Sequence, residues 1–297
     1  MKKSNSVFYA LTILLTLFLC SLSFAAPLNQ TSSSIAKSKN QSLKASYVFN
    51  QQNLIGTTKN PLSMNPEKLT VQSHHFTLEK PLNKRLSFIL NLKALRNHVL
   101  LSGFGQTIDA QTSGLGDVIL KTNFKLSSSW KASLGLSIPT GSYEEKINGH
   151  LVSYPGQLGS GTFDGIYSLN FFKHWRNLTH RVSIDSIIRT GKNKLDYRLG
   201  NEFKFQASSY FWITRHFAMT GSGYYKSWNK VSGQTNPFDP FAAAGSRWAA
   251  YLGLSSMFSI KSWVSAYVDA GVPLVQEEYG PLKGLKSQWF ITTALLF

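Results

Sequence analysis

Residues 118–138 read VILKTNFKLSSSWKASLGLSI, and their period decides the fold class. Val118, Leu120, Thr122, Phe124 and Leu126 share one phase, opposed by Lys121, Asn123 and Lys125. After Ser127–Ser129 the alternation resumes, with Trp130, Ala132, Leu134, Leu136 and Ile138 against Lys131, Ser133, Gly135 and Ser137. A period of two marks β-strands whose two faces meet different surroundings. Working outward, Leu86, Phe88, Leu90 and Leu92 oppose Ser87, Asn91 and Lys93. Val264, Ala266, Val268 and Ala270 oppose Ser265, Tyr267 and Asp269. No helical period stands out beyond the first 25 residues.

The same reading over the whole chain predicts twelve strands, near 43–49, 69–79, 84–94, 116–126, 130–139, 163–173, 180–189, 200–212, 215–226, 247–258, 263–272 and 286–297. The connections alternate in length. Those at 80–83, 127–129, 174–179, 213–214 and 259–262 are short, and those at 50–68, 95–115, 140–162, 190–199, 227–246 and 273–285 are long. An outer-membrane barrel has an even strand number, short periplasmic turns and longer outer loops. A soluble sandwich also alternates polar and apolar faces, but has no reason to sort its loops by length. The expected fold is therefore all-β: a transmembrane, antiparallel, up-and-down barrel of about twelve strands following a cleaved signal peptide. Lipid cannot hydrogen-bond a backbone, so such a sheet must close on itself.

The first 25 residues read as that secretory signal. Lys2 and Lys3 form the positive start, Val7 to Leu19 the apolar stretch, and Ser23-Phe24-Ala25 the cleavage site. Cutting after Ala26 would place Pro27 beside the scissile bond. Leu17-Phe18-Leu19 before Cys20 lacks the small residue of a lipidation signal. Cleavage removes Cys20, the only cysteine, and with it disulfides and thiolate chemistry. It also takes two of the 31 basic residues, which lowers the net charge from +17 to +15. That charge is spread along the chain without a dense basic run, which argues against nucleic acid as a partner. Residues 26–42, rich in Ser, Asn, Gln and Lys, read as a flexible periplasmic tail or an inward-folded plug, and 43–297 as the barrel.

The chain ends on Trp289, Ile291, Thr293, Leu295 and Phe297 at alternate positions. This resembles the aromatic-ended strand read by the outer-membrane assembly machinery. All seven tryptophans fall near expected strand ends. Trp130, Trp175, Trp212 and Trp263 mark a periplasmic rim, and Trp228, Trp248 and Trp289 an outer rim. Indole rings favour membrane interfaces and form girdles on such barrels.

Three glycine-rich motifs, Gly114-Leu115-Gly116-Asp117, Ile138-Pro139-Thr140-Gly141 and Leu158-Gly159-Ser160-Gly161-Thr162-Phe163-Asp164, add a family resemblance. Their order and spacing resemble the transporter-like outer-membrane family named for the meta-pathway of phenol degradation, over roughly residues 69–297. The resemblance implies passage of small aromatic or hydrophobic compounds, and no catalytic residues. On local grounds alone these glycines and Pro139 end and restart strands. On a functional reading they fold the loops that narrow the outer mouth, with Asp117 and Asp164 near the lumen.

The inward phase supplies the candidate pore-lining residues: Lys93, Lys121, Lys125, Lys131, Arg181, Asp185, Arg189, Glu202, Lys204 and Asp269. A ring of Lys and Arg favours anions. Alternatively the opposite charges pair across a narrow lumen and fill it. Ile89, Ile119, Phe172 and Ile187 on the same phase suit a hydrophobic solute. Basic residues at the short turns, such as Lys84, Arg85, Arg176 and Arg215, form a rim facing lipid headgroups or a periplasmic partner.

The expected function is a channel for passive passage of small, hydrophobic or aromatic solutes, with outer-membrane lipids and the assembly machinery as partners. No cofactor, metal or enzymatic step is expected. One alternative is a closed structural barrel whose outer loops bind a surface partner. Another is an outer-membrane hydrolase using His98 or His150 in the outer loops. Adjacent His74 and His75 point to opposite faces of a strand and cannot share a metal.

Overall fold

The computed structural model describes residues 43–56, 65–103, 106–147, 149–152, 154–233, 242–280 and 285–297. The expected signal peptide and tail lie outside them. The described chain is β structure, apart from one turn of 3₁₀ helix at Tyr154–Gly156. The strands are β1 (Lys44–Gly56), β2 (Asn65–Pro81), β3 (Leu86–Gly103), β4 (Gln106–Leu115), β5 (Val118–Lys125), β6 (Trp130–Ile138), β7 (Lys146–Ile147), β8 (His150–Leu151), β9 (Asp164–Trp175), β10 (Leu178–Arg189), β11 (Tyr197–Arg198), β12 (Glu202–Trp212), β13 (Phe217–Trp228), β14 (Ser232–Gly233), β15 (Gly245–Lys261), β16 (Val264–Tyr279) and β17 (Leu285–Leu296).

Each wall strand pairs antiparallel with its sequence neighbours, and β1 closes the ring against β17. β3 pairs with β5 through Leu86–Asn91 and with β4 through Ala94–Gly103. β4 and β5 therefore share one wall position, and the closed barrel has 12 strands. β7–β8 and β11–β14 form two small ribbons in the outer connections.

The short turns explain themselves locally. Asn83 Oδ1 accepts from the amides of Arg85 and Leu86, at 2.8 and 2.9 Å. Ser127 Oγ accepts from those of Ser129 and Trp130, and Thr214 Oγ1 from those of His216 and Phe217. Short polar side chains that mimic a backbone acceptor are the usual builders of such turns.

The outward phase carries the exposed apolar residues, among them Phe88, Leu134, Leu136, Phe205, Leu252 and Leu254. A continuous band of this kind needs lipid around it. The inward phase is identified by buried polar residues: Ser87, Ser133, Ser183, Ser208 and Thr220 are all below a tenth exposed.

Three expected loops are corrected. The described residues of the segments at 50–68, 95–115 and 273–285 are strand, apart from Gly280. The polarity of the two faces inverts there. On β3 the outward residues change from Leu90 and Leu92 to Arg96 and His98, while the inward ones become Asn97 and Val99. Above the lipid the outside is wet and the inside packs, so a search for a lipid-facing apolar stripe ends too early. Leu54, Leu69, Val99 and Ala110, with Val71 against them, form the apolar cluster inside this upper wall.

Candidate channel lumen and outer mouth

The three glycine-rich motifs, distant in sequence, meet at the break between β4 and β5. Asp117 is their hub. Its Oδ1 accepts from Gly141 N at 3.0 Å, and its Oδ2 from Ser160 N at 2.9 Å and Ser160 Oγ at 2.8 Å. Thr140 Oγ1 donates to Gly116 O and accepts from Val118 N, both at 3.0 Å. Gly141 and Gly159 pass backbone to backbone: a Cβ on Gly141 would lie 2.8 Å from the Gly159 Cα. That approach leaves no room for a side chain at either position.

The connection between β6 and β9 then folds back onto the upper wall. Thr112 Oγ1 on β4 donates to Gly156 O at 2.5 Å, and Gln157 ties Glu145 to Val152 through its side-chain amide. The next outer connection is stitched on by Asn193 Nδ2 donating to Ser160 O at 3.3 Å and Tyr197 OH to Tyr143 O at 3.2 Å. Tyr197 is 2% exposed. Burial pushes its hydroxyl up to about 12. The motif glycines thus shape the outer mouth, and Asp117 serves as a structural hub.

Below the mouth the charged candidates pair. Arg189 Nη1 lies 2.6 Å from Asp164 Oδ2, and its Nη2 lies 2.9 Å from Glu202 Oε1. Lys226 Nζ reaches Glu202 Oε2 at 2.6 Å. Asp164 is fully enclosed, whereas the Glu202 and Lys226 side chains keep 25% and 41% exposure. Lys121 leans over Gly135, where a Cβ would meet its Cγ at 2.7 Å. Asp185 faces Lys204 in register and lies within electrostatic reach of Lys121. Lys93 pairs in register with His75 on the inward phase, with Glu202, Lys226 and Asp117 in electrostatic reach. Asp269 Oδ1 accepts from Ser255 Oγ at 2.8 Å, and Ser255 Oγ in turn meets Thr220 Oγ1 at 2.5 Å. Lys125 and Lys131 face each other at the periplasmic end, and Arg181 stands exposed on the inward phase of β10.

A closed ring with an apolar outside and a charged, hydrogen-bonded inside has only one natural setting. The chain is an outer-membrane β-barrel. The barrel shares its fold with the COG4313 outer membrane channel from Pseudomonas putida F1: TM-score 0.61 at 14% identity, over 91% of this chain and 100% of that one. A FadL homologue from Pseudomonas aeruginosa matches at TM-score 0.42 and 10% identity, over 86% of this chain and 89% of that one. The CymD monoaromatic hydrocarbon channel matches at TM-score 0.45 and 9% identity, over 92% of this chain and 94% of that one. No protein-family model matches the sequence, and no curated protein matches it.

Two of the expected girdle tryptophans are corrected. Trp212 and Trp228 sit on the inward phase of the barrel; Trp212 Nε1 donates to Thr179 Oγ1 at 3.1 Å and Trp228 Nε1 to Ala243 O at 3.2 Å. Trp130 faces outward against Phe171, with ring centroids 5.0 Å apart. His98 lies on β3 rather than in a loop, with Nε2 2.6 Å from Asp109 Oδ1 on the outer wall. His150 belongs to the short β8. Among the described residues no group of three His, Cys, Asp or Glu side chains is placed to hold a metal.

Sequence reasoning missed Lys226 and the enclosed pair Arg247–Glu278, where Nε and Oε1 are 2.8 Å apart. Lys226 and Arg247 lie on the inward phase at the outer ends of the strands expected at 215–226 and 247–258, whereas Glu278 lies beyond the strand expected at 263–272 and past a β-bulge that shifts the phase of β16, so extending the alternation would not have found it.

Proposed function

We propose that this barrel is a channel for passive passage of small hydrophobic or aromatic solutes. The observation that carries the reading is the solvent-exposed ion pair Glu202–Lys226 on the inward face, with side chains 25% and 41% exposed. The free space beside this pair supports an interior that the charges do not simply fill. Ile89, Ile119 and Ile187, each partly exposed, lie on the inward phase among the charged groups and give an apolar solute a surface to contact. The shared fold with a bacterial outer membrane channel supports the same class of function. The aromatic preference rests on the resemblance to the phenol meta-pathway family. No covalent step or cofactor enters.

Planar-bilayer recording on the folded chain tests this reading. Stepwise conductance, reduced by added phenol or toluene, is the expected result. Silence from protein that still shows the unheated-gel shift of a folded barrel would overturn it, in favour of a closed barrel that binds partners through its outer connections.

A further inference from the structure

The outer wall of β1–β4 carries an unusual surface directly above the apolar band. Outward residues on these strands line up in rows. Phe49, His74, Ala94 and Leu115 form one row. The next row up is Gln51, Gln72, Arg96 and Ser113, and the next Asn53, Thr70, His98 and Gln111. Apolar or aromatic positions thus give way within one step to amides, hydroxyls and cations.

These two polar rows, Ser113 excepted, and Lys68 surround a hollow of about 310 Å³ on the barrel's exterior. Two features show that it is organised. Gln111, with its side-chain oxygen turned toward Arg96, accepts from Arg96 Nε at 3.1 Å and Nη2 at 3.2 Å. Asn53 Oδ1, at the edge of the hollow, is buried and without a hydrogen-bond partner. Among the described residues neither Lys68 nor Arg96 has a carboxylate partner, and the nearby Asp109 is engaged by His98.

With the long connections outside, as barrels of this kind are oriented, the hollow stands at the headgroup level of the outer leaflet. That leaflet is lipopolysaccharide, whose headgroup is an acylated, phosphorylated disaccharide. Its phosphates need cations, Arg above all; its hydroxyls need amides and hydroxyl groups; its acyl chains need the apolar rows below. We infer that the β1–β4 hollow binds the phosphorylated disaccharide headgroup of lipopolysaccharide, with Arg96 and Lys68 on a phosphate and Gln51, Asn53, Thr70 and Gln72 on the sugar. The site is independent of solute passage and rests only on the membrane orientation.

The test uses the full chain folded in detergent, in EDTA so that no divalent ion bridges, titrated with bisphosphorylated lipid A. Saturable binding is expected. Removing charge-assisted bonds in the Lys68→Gln/Arg96→Gln double variant should weaken it about tenfold or more. Dephosphorylated lipid A should show the same loss, and Arg96→Lys should retain part of the affinity. Lys230→Gln, in another outer connection, should bind as the parent does. The unheated-gel shift verifies that each variant is folded. Absence of binding by the parent, equal affinity of the double variant, or indifference to the phosphates would overturn the proposal. So would equally tight binding of glucosamine 1-phosphate, which would reassign the site to a soluble phosphosugar. Conductance of the double variant should equal that of the parent, so this proposal and the channel reading fail separately.

Discussion

The Asp117 carboxylate accepts from two backbone amides and one hydroxyl, and all three donors lie on the connection that folds over the mouth. An asparagine of the same shape keeps one acceptor and turns an NH₂ toward the other donors. Asp117→Asn should therefore cost roughly 1–3 kcal/mol of local stability, the usual penalty for an unmade bond to a charged group. Hydrogen exchange should quicken at the Gly141 and Ser160 amides while the gel shift of the folded barrel persists. Unchanged exchange would remove Asp117 from its place as the hub. A second residue-scale test concerns Tyr197. Its hydroxyl titrates near 12 in the folded state against about 10 when unfolded. A group raised in this way stabilises the fold fully below pH 10 and loses that contribution as pH climbs toward 12. Protease sensitivity of the outer connections should rise in that window, and Tyr197→Phe should flatten the response.

At the scale of elements, Asp164, Arg189, Glu202 and Lys226 form a clasp across four strands, β9, β10, β12 and β13. Asp164 also accepts from Thr162 Oγ1 at 2.8 Å and has no exposed side-chain surface. Arg189→Ala would strand that carboxylate, at a cost of about 3–5 kcal/mol, as for other buried pairs broken from one side. Adding Asp164→Asn should recover most of it. Urea unfolding of the barrel distinguishes this from a screened pair, for which both variants would stay close to the parent. The strands of this clasp were legible in the sequence because their lipid-facing sides alternate plainly: Ile184 and Ile188 on β10, Phe203 and Phe205 on β12. The clasp itself was half legible. Arg189 and Glu202 belong to the inward phase, but nothing in the local pattern says which acid an arginine reaches. Lys226 and Glu278 were lost for a different reason: Lys226 lies at an outer strand end, where the lipid-facing stripe is giving way to polar surface, and a β-bulge shifts the phase of β16 before Glu278. The meeting of the three motifs at Asp117 was unreadable, since it depends on contacts across more than 40 positions, such as Asp117 to Ser160.

Across the whole molecule, if the barrel conducts as proposed, the distribution of charge sets what its lumen prefers. The enclosed pairs, Arg189–Asp164 and Arg247–Glu278, neutralise themselves within the wall and contribute little field along the axis. What remains on the inward phase is unequal. Lys121 and Lys204 share a single acid, Asp185, while Lys125, Lys131 and Arg181 stand at the periplasmic end, each without an ion-pair partner among the described residues. A lumen lined with surplus cations concentrates anions, and the preference belongs to the whole set rather than to one ring. Reversal potentials across a salt gradient should therefore show anion selectivity in the parent. Lys121→Gln with Lys204→Gln should lower it, and Asp185→Asn should raise it. All three substitutions keep side-chain size, so conductance should move less than selectivity. A cation-selective parent, or selectivity indifferent to these variants, would mean that ions bypass this belt. The apolar residues on the same phase would then be the surface a solute follows, without help from the charges.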